Sequence, residues 1–402
     1  MQNKINRLAS FLYTYKIFVI VSLLWFMVQF IRYMFPPLFE TFQSIYDVSN
    51  TATGLLFTLL LIAYALAQFP AGLLGDKFGH SNIIFVSAIV FSSATLLVAF
   101  SPIYVLIVLA AMAIGFSTGP HKTVAIPLLS QKYPNNTGRV LGIMDTFGQF
   151  GGVVAPIIVA FFVGVTIWQN AFVFAAGISG LLALVFYRAK DMESSQKKST
   201  KKSDPPKSVN KEKYKKLVHN KKLVIFVFIT VCYTFTWNAI SAFLPLFLTT
   251  EKGISTEFAG VLYSVLFVMS ISQPVTGELT DQVGSLNVGF WLFAVLIGGL
   301  IILTSGTSFI IMGIATILIG LSIHGFRPVR DAYLMELIPN DISGGGLGLI
   351  RTFMTGVGAL APVSVGLLSD IVGFTMSLTI LTLVPIIAII MILIIKFEYS
   401  NK

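Results

Sequence analysis

"GLLGDKFG", residues 72–79, places an acid and a base side by side between two long apolar runs. The frame G-x-L-x-D-x-x-G returns 205 residues later as "GELTDQVG", residues 277–284. Gly72, Leu74, Asp76 and Gly79 match Gly277, Leu279, Asp281 and Gly284, and the register continues beyond them. At an offset of 205 or 206, Gly54 matches Gly260, Lys122 matches Arg327, and Pro134-Asn135 matches Pro339-Asn340. Thr146-Phe147 matches Thr352-Phe353, and Ala155-Pro156 matches Ala361-Pro362. So many coincidences in one register predict an internal duplication in parallel orientation, a pattern typical of secondary transporters.

Composition fixes the solvent. Charged residues make up 11% of the chain and hydrophobic residues 55%, with mean hydropathy +0.86; a soluble domain carries about 25% charge. About 20 apolar residues cross a bilayer, and backbone groups in lipid must be satisfied internally, so the crossings are helices. Twelve are predicted, at roughly 17–39, 50–75, 82–101, 103–130, 139–163, 170–188, 222–249, 256–279, 286–304, 309–335, 343–368 and 373–396, numbered here as spans 1 to 12. The first run leads into Arg32 without an A-x-A site and reads as a span, not as a cleaved signal peptide. The fold class is thus an all-α membrane protein: a six-helix bundle over 1–187, a linker over 188–221 and a second bundle over 222–402. The single cysteine, Cys232, excludes disulfides within the chain.

The net charge of +10 is concentrated in one place. Residues 188–222 hold thirteen Lys/Arg against four acids, in a polar, Pro-containing stretch that includes "SSQKKSTKKSDPPK". Basic loops stay in the cytoplasm. The N-terminus, the 131–140 loop, the linker and the C-terminus share one side, whereas the opposite loops carry a single base, Lys252. The prediction is a multi-pass protein of the cell membrane with both termini cytoplasmic, its linker touching anionic lipid headgroups rather than nucleic acid.

The doubled motif, the preceding "YALAQFP" at 64–70, the twelve spans and the basic central linker together resemble the major facilitator superfamily over nearly the whole chain. Relative to that family's loop signature, Lys77 holds the basic place, His80 replaces the last base, and Gln282 stands where the second copy should have a base. "GLLSDIVG" at 366–373 fits the same frame at the outer end of span 11, a place not equivalent to the other two. The resemblance implies a conformational latch. Gly72 and Gly79 permit close approach and a tight turn, and Asp76 meets Arg139 at the start of span 5 when the cytoplasmic side is closed; Asp281 is the second copy's acid. The plain alternative is a surface turn with a salt bridge contributing about 0–1 kcal/mol. "GQFGGVVAP" (148–156) and "GVGALAP" (356–362) read as small-residue packing faces.

Ionisable residues within spans are costly and usually functional. They are Arg32, His121, Lys122, Asp145, His324, Arg327, Arg330, Asp331 and Arg351, with cations in excess. Lys122 and Arg327 each precede a loop proline by twelve residues, which places them about 18 Å into their helices, near the midplane. Arg32 followed by "GLLFTLLLIAYALAQFPAG" resembles the anion:cation symporter branch, which carries sugar acids, monocarboxylates and organophosphates. Ile31 stands where several such symporters have an Asp, so a proton, if coupled, uses another group. Span 7 carries no arginine to pair with Arg32 through the repeat, which speaks against a two-arginine organophosphate clamp.

The reading is a secondary transporter of a small organic anion, coupled to a proton or sodium ion and acting as a monomer. Arg32, Lys122 and Arg327 bind the anion, Tyr33, Trp237 and Asn238 shape the cavity with Tyr64, Gln68 and Tyr233, and each half supplies one wall of it. Asp145, Arg330, Asp331, Arg351, His121 and His324 are candidates for coupling or for structural pairs. An exporter of drug-like amphiphiles is the alternative, disfavoured by the basic excess and by the lack of the Gly-Pro…Gly-Gly order of drug/proton antiporters. With no phosphate-binding loop, metal-ligand set, cofactor motif or nucleophile–base pair, the chain does not read as a pump or an enzyme.

Overall fold

The computed structural model describes residues 2–165, 167–194, 219–338 and 343–399. Most of the predicted linker, from 195 to 218, lies outside them. Among the described residues twelve helical segments are long and apolar enough to cross a membrane. Spans 1 to 6 are Tyr15–Tyr46, Asn50–Gln68, His80–Ala99, Tyr104–Lys132, Pro134–Val165 and Gln169–Lys190. Spans 7 to 12 are Lys221–Thr250, Thr256–Val283, Ser285–Ser305, Phe309–Leu337, Gly348–Val372 and Phe374–Glu398. Each coincides with a segment expected from hydropathy. Large apolar side chains stand exposed on their flanks, among them Leu66, Trp291, Ile310 and Phe397. Such faces would be a liability in water and are solvated by lipid tails.

Prolines explain where the helices bend or break. Pro36-Pro37 ends the first helix, Gln2–Tyr33, and a 3-10 turn, Pro36–Leu38, leads into Phe39–Tyr46. A proline inside a helix lacks an N–H and frees the carbonyl four residues back. Pro245 in span 7 frees that of Ser241, and the Tyr263 hydroxyl of span 8 donates to it at 2.5 Å. Span 8 is broken by a 3-10 turn at Met269–Ile271, and span 11 divides into Ser343–Gly358 and Ala361–Val372.

The duplication is visible in the turns. Gly79 and Gly284 close the two frames at φ 89° and 86°, where a side chain is strained. Each N–H reaches back to a carbonyl one turn earlier, Gly75 at 2.9 Å and Thr280 at 3.0 Å. Three residues on, Asn82 and Asn287 each donate to the preceding helix, to the carbonyls of Phe78 (2.7 Å) and Val283 (2.6 Å). Each asparagine in turn accepts from a lysine at the end of its half's last span, Lys190 at 2.6 Å and Lys396 at 2.5 Å.

The chain divides into two compact units, and the division does not follow the repeat. One unit is Met1–Arg32, Ala63–Ala155 and Phe162–Lys207; the other is Tyr33–Ile62, Pro156–Phe161 and Ser208–Lys402. The end of span 1 and the start of span 2 therefore pack with the second half of the chain. Phe39 shows why: it is fully buried, with its ring against Phe57 and against Phe243 of span 7.

Candidate functional site

In the first unit, Arg32 sits in the last turn of its helix, where the free carbonyls favour a cation. It is 8% exposed, its guanidinium carbon lies 4.1 Å above the Tyr64 ring, and its Nε and Nη2 meet no hydrogen-bond acceptor. Among the described residues no carboxylate comes within ion-pair distance of it. Gln29, one turn earlier, is also buried, with an unpartnered side-chain oxygen.

Lys122 is differently placed. Its ammonium lies 2.8 Å from one oxygen of Asp145 and 3.0 Å from the other, and 5.6 Å from the Trp25 ring. Trp25 organises this corner, since His121 is fully buried and stacks on it at 5.9 Å, with Nε2 3.1 Å from the Val21 carbonyl oxygen. Span 5 reaches span 1 through glycines: a Cβ on Gly148 would lie 2.3 Å from Trp25 Nε1, and one on Gly151 would lie 2.4 Å from the Phe26 carbonyl oxygen. The small-residue face predicted at 148–156 is thus a packing face against span 1.

In the second unit, aromatic rings surround Arg327. Its Nε donates to the Tyr233 hydroxyl at 3.3 Å, and its guanidinium is 5.8 Å from the Trp237 ring. Trp237 meets Tyr33 (6.1 Å), Phe267 (5.5 Å) and His324 (5.3 Å). Asn238 is buried where span 7 crosses span 11, its side-chain nitrogen 3.3 Å from where a Cβ on Gly358 would be. Asp331 takes the other cations, Arg330 at 2.8 Å and Arg351 at 3.3 Å. Asp331 thus joins Arg330 and Arg351, and Asp145 is held by Lys122. No group of three or more metal-ligating side chains occurs among the described residues.

The latch residues are not joined in this structure. The Asp76 side chain is 63% exposed and lies 3.5 Å from His80, one turn on. Arg139 and Asp281 are exposed, and Lys77 lies against the neighbouring Phe78 ring. The glycine in close contact is not Gly72, where a Cβ would find its first neighbour at 4.0 Å, but Gly75, where it would be 3.0 Å from both His80 and Val124.

Trp25 and Gln29 are the residues that sequence reasoning missed. Both lie within an apolar run, and the one signal for Trp25 is Gly148, which faces it. The sequence marks Tyr64 as a cavity residue, and the structure puts its ring beneath Arg32.

The chain is 24% identical to the probable 4-methylmuconolactone transporter of Cupriavidus pinatubonensis over 87% of its length and 82% of that protein's. It is 25% identical to the probable sulfoacetate transporter of Cupriavidus necator, covering 79% and 77%. It is 23% identical to the hexuronate transporter of Bacillus subtilis, covering 82% of each. The fold matches the crystal structure of a bacterial homolog to the human lysosomal transporter Spinster with TM-score 0.83 at 13% identity, covering 97% of this chain and 98% of that one. The family model of the Major Facilitator Superfamily matches residues 21–326 and 226–401. The chain is a multi-pass membrane transporter of a small molecule, not an enzyme, and belongs to the Major Facilitator Superfamily.

Proposed function

We propose that the protein carries a small organic anion, of carboxylate or sugar-acid type, across the cell membrane by alternating access, coupled to a proton or sodium ion. The observation that carries this reading is Arg32: a buried guanidinium with two unpartnered donor nitrogens and no carboxylate near it. The helix terminus beside it supplies at most about half a negative charge. A buried cation costs several kcal/mol unless paired, so a ligand carboxylate is a fitting missing partner, and the fork of the guanidinium suits it bidentately. Arg327, with a tyrosine hydroxyl and an indole face and, among the described residues, no acid within ion-pair distance, offers a second cation of the same kind. Lys122 enters the cycle through its exchange of Asp145 for ligand. The names of the relatives, which include a sulfoacetate and a hexuronate transporter, support the same chemical class. In this reading 1–187 and 222–402 are the two rocking repeats and 188–221 is their cytoplasmic linker. Both termini are cytoplasmic, and the protein works as a monomer in contact with anionic lipid.

Ligand binding to purified protein tests it, with hexuronates, short monocarboxylates and cationic amphiphiles as probes. Arg32→Lys keeps the charge and loses the fork, and Arg32→Lys and Arg327→Gln are each expected to weaken anion binding by roughly 10- to 150-fold. Wild-type affinity in both variants, or binding of cationic amphiphiles alone, overturns the assignment.

A further inference from the structure

The Asp370 carboxylate, near the end of span 11, accepts three hydrogen bonds from the first turn of span 2. The donors are the Asn50 N–H at 3.1 Å, the Thr51 N–H at 2.8 Å and the Thr51 hydroxyl at 2.6 Å. The first N–H groups of a helix have no partners within it and carry about half a positive charge. A carboxylate there makes charge-assisted bonds, the stronger kind. Here the cap comes from more than 300 residues away in the chain.

Beside it the two backbones touch. A Cβ on Gly366 would lie 2.4 Å from the Asn50 carbonyl oxygen, and one on Gly54 would lie 2.4 Å from that of Pro362. Deeper in, the Val363 N–H donates to the Thr58 hydroxyl at 3.0 Å. Neither glycine has room for a methyl, so the crossing has a single register.

The internal repeat supplies a control. Gly260 and Pro156 stand where Gly54 and Pro362 stand, and a Cβ on Gly260 would find Pro156 at 3.5 Å, ordinary contact. The counterpart of Asp370 is Gly164. Both helices carry a serine cap at the repeat-matched place, Ser49 accepting from the Ala52 N–H at 3.3 Å and Ser255 from the Phe258 N–H at 3.5 Å; the first has the carboxylate in addition. A carboxylate from another span thus serves one of the two equivalent crossings. The same contrast holds along the G-x-L-x-D-x-x-G frame. Its third copy, 366–373, closes with Gly373 at φ 84°, the same turn as at Gly79 and Gly284. All three acids are exposed; Asp76 meets His80 one turn on in the chain, whereas Asp370 reaches a helix of the other repeat.

We infer that Asp370 is a positioning residue of the transport cycle. Its carboxylate holds the start of span 2 against span 11 in one end state and releases it in the other. Spans 2 and 11 belong to different repeats, and alternating access makes and breaks such contacts at each face. Losing a charge-assisted cap shifts a two-state equilibrium by about tenfold. The inference rests on the geometry of the crossing and holds whatever the substrate is.

The test uses full-length protein in detergent, with Cys232→Ser and one new cysteine. Thr53→Cys lies at a fully buried position one turn into span 2, and Thr280→Cys lies at a 6% exposed position in span 8. Labelling by a water-soluble maleimide reports opening. Asp370→Ala is expected to raise the Thr53→Cys rate about tenfold and to leave the Thr280→Cys rate unchanged or lower, with Asp370→Asn between parent and alanine. An unchanged Thr53→Cys rate, or a parallel rise at both cysteines, overturns the inference. Should Asp370→Ala not elute as a folded monodisperse species, Asp370→Asn carries the same comparison.

Discussion

Asp145 and Arg351 hold the same position in the two halves of the chain and carry opposite charge. Asp145 pairs with Lys122 at 2.8 Å, and Arg351 pairs with Asp331 at 3.3 Å. Each half therefore ties its fourth helix to its fifth by an ion pair, with the polarity reversed. In the first half the pair consumes the repeat-matched cation, Lys122. In the second half the acid serves Arg330 and Arg351, and among the described residues no carboxylate pairs with Arg327. The duplication preserved the tie and changed the number of cations left over.

This predicts the effect of Asp145→Asn. Both partners are partly exposed, at 34% and 48% of their side-chain surface, so the unfolding free energy should change by less than about 1 kcal/mol. The freed Lys122 should instead tighten binding of an anionic ligand several-fold. Titration of a hexuronate or short monocarboxylate against parent and variant measures it. Unchanged or weaker binding would show that Lys122 lies away from the anion's path.

A pair of glycine variants tests the packing of span 5 on span 1. At Gly151 a methyl would meet the Phe26 backbone oxygen at 2.4 Å, a neighbour that cannot rotate aside. Gly151→Ala should destabilise by about 1–3 kcal/mol. Gly142, in the same helix, has nothing within 4 Å of its Cβ position, so Gly142→Ala should be neutral or stabilise by up to about 1 kcal/mol. Thermal unfolding in detergent separates the two, and equal shifts refute the contact.

Asp76→Asn separates latch from turn. With its side chain 63% exposed and His80 as its ionic neighbour, the carboxylate contributes little here, and the melting temperature should be unaffected. Transport into liposomes should nevertheless fall severalfold, because the acid is needed in the state that closes the other way. Wild-type transport would reduce Asp76 to an ordinary surface turn.

The twelve spans were legible because lipid imposes one rule on every helix, and the doubled turn because Gly79 and Gly284 need a backbone that other residues resist. What escaped was side-chain partnership across spans. The spacing places Lys122 at the right depth but cannot say that Asp145 reaches it. Trp25 is one aromatic among thirty-five phenylalanines and three other tryptophans, and only the opposing Gly148 distinguishes it. Asp370 read as a stray match to the frame, since no pattern in 366–373 tells which helix begins beside it. Gly72 and Gly75 lie one turn apart, and the neighbour that makes one of them tight, Val124, belongs to another span.

The grouping of Tyr33–Ile62 with the residues from Ser208 onward bears on how the protein is made. A ribosome adding 5–20 residues per second takes roughly 7–30 s to travel from Ile62 to Ser208. For that interval Phe39 and the first turn of span 2 have entered the membrane without Phe243 and Asp370, which meet them in the finished fold. Lipid, or an insertion factor, must shelter them until the C-terminal half emerges. Co-expressed fragments cut in the linker would have to complete this corner by association, which makes the early segment the place where assembly of the newborn chain is most exposed to error.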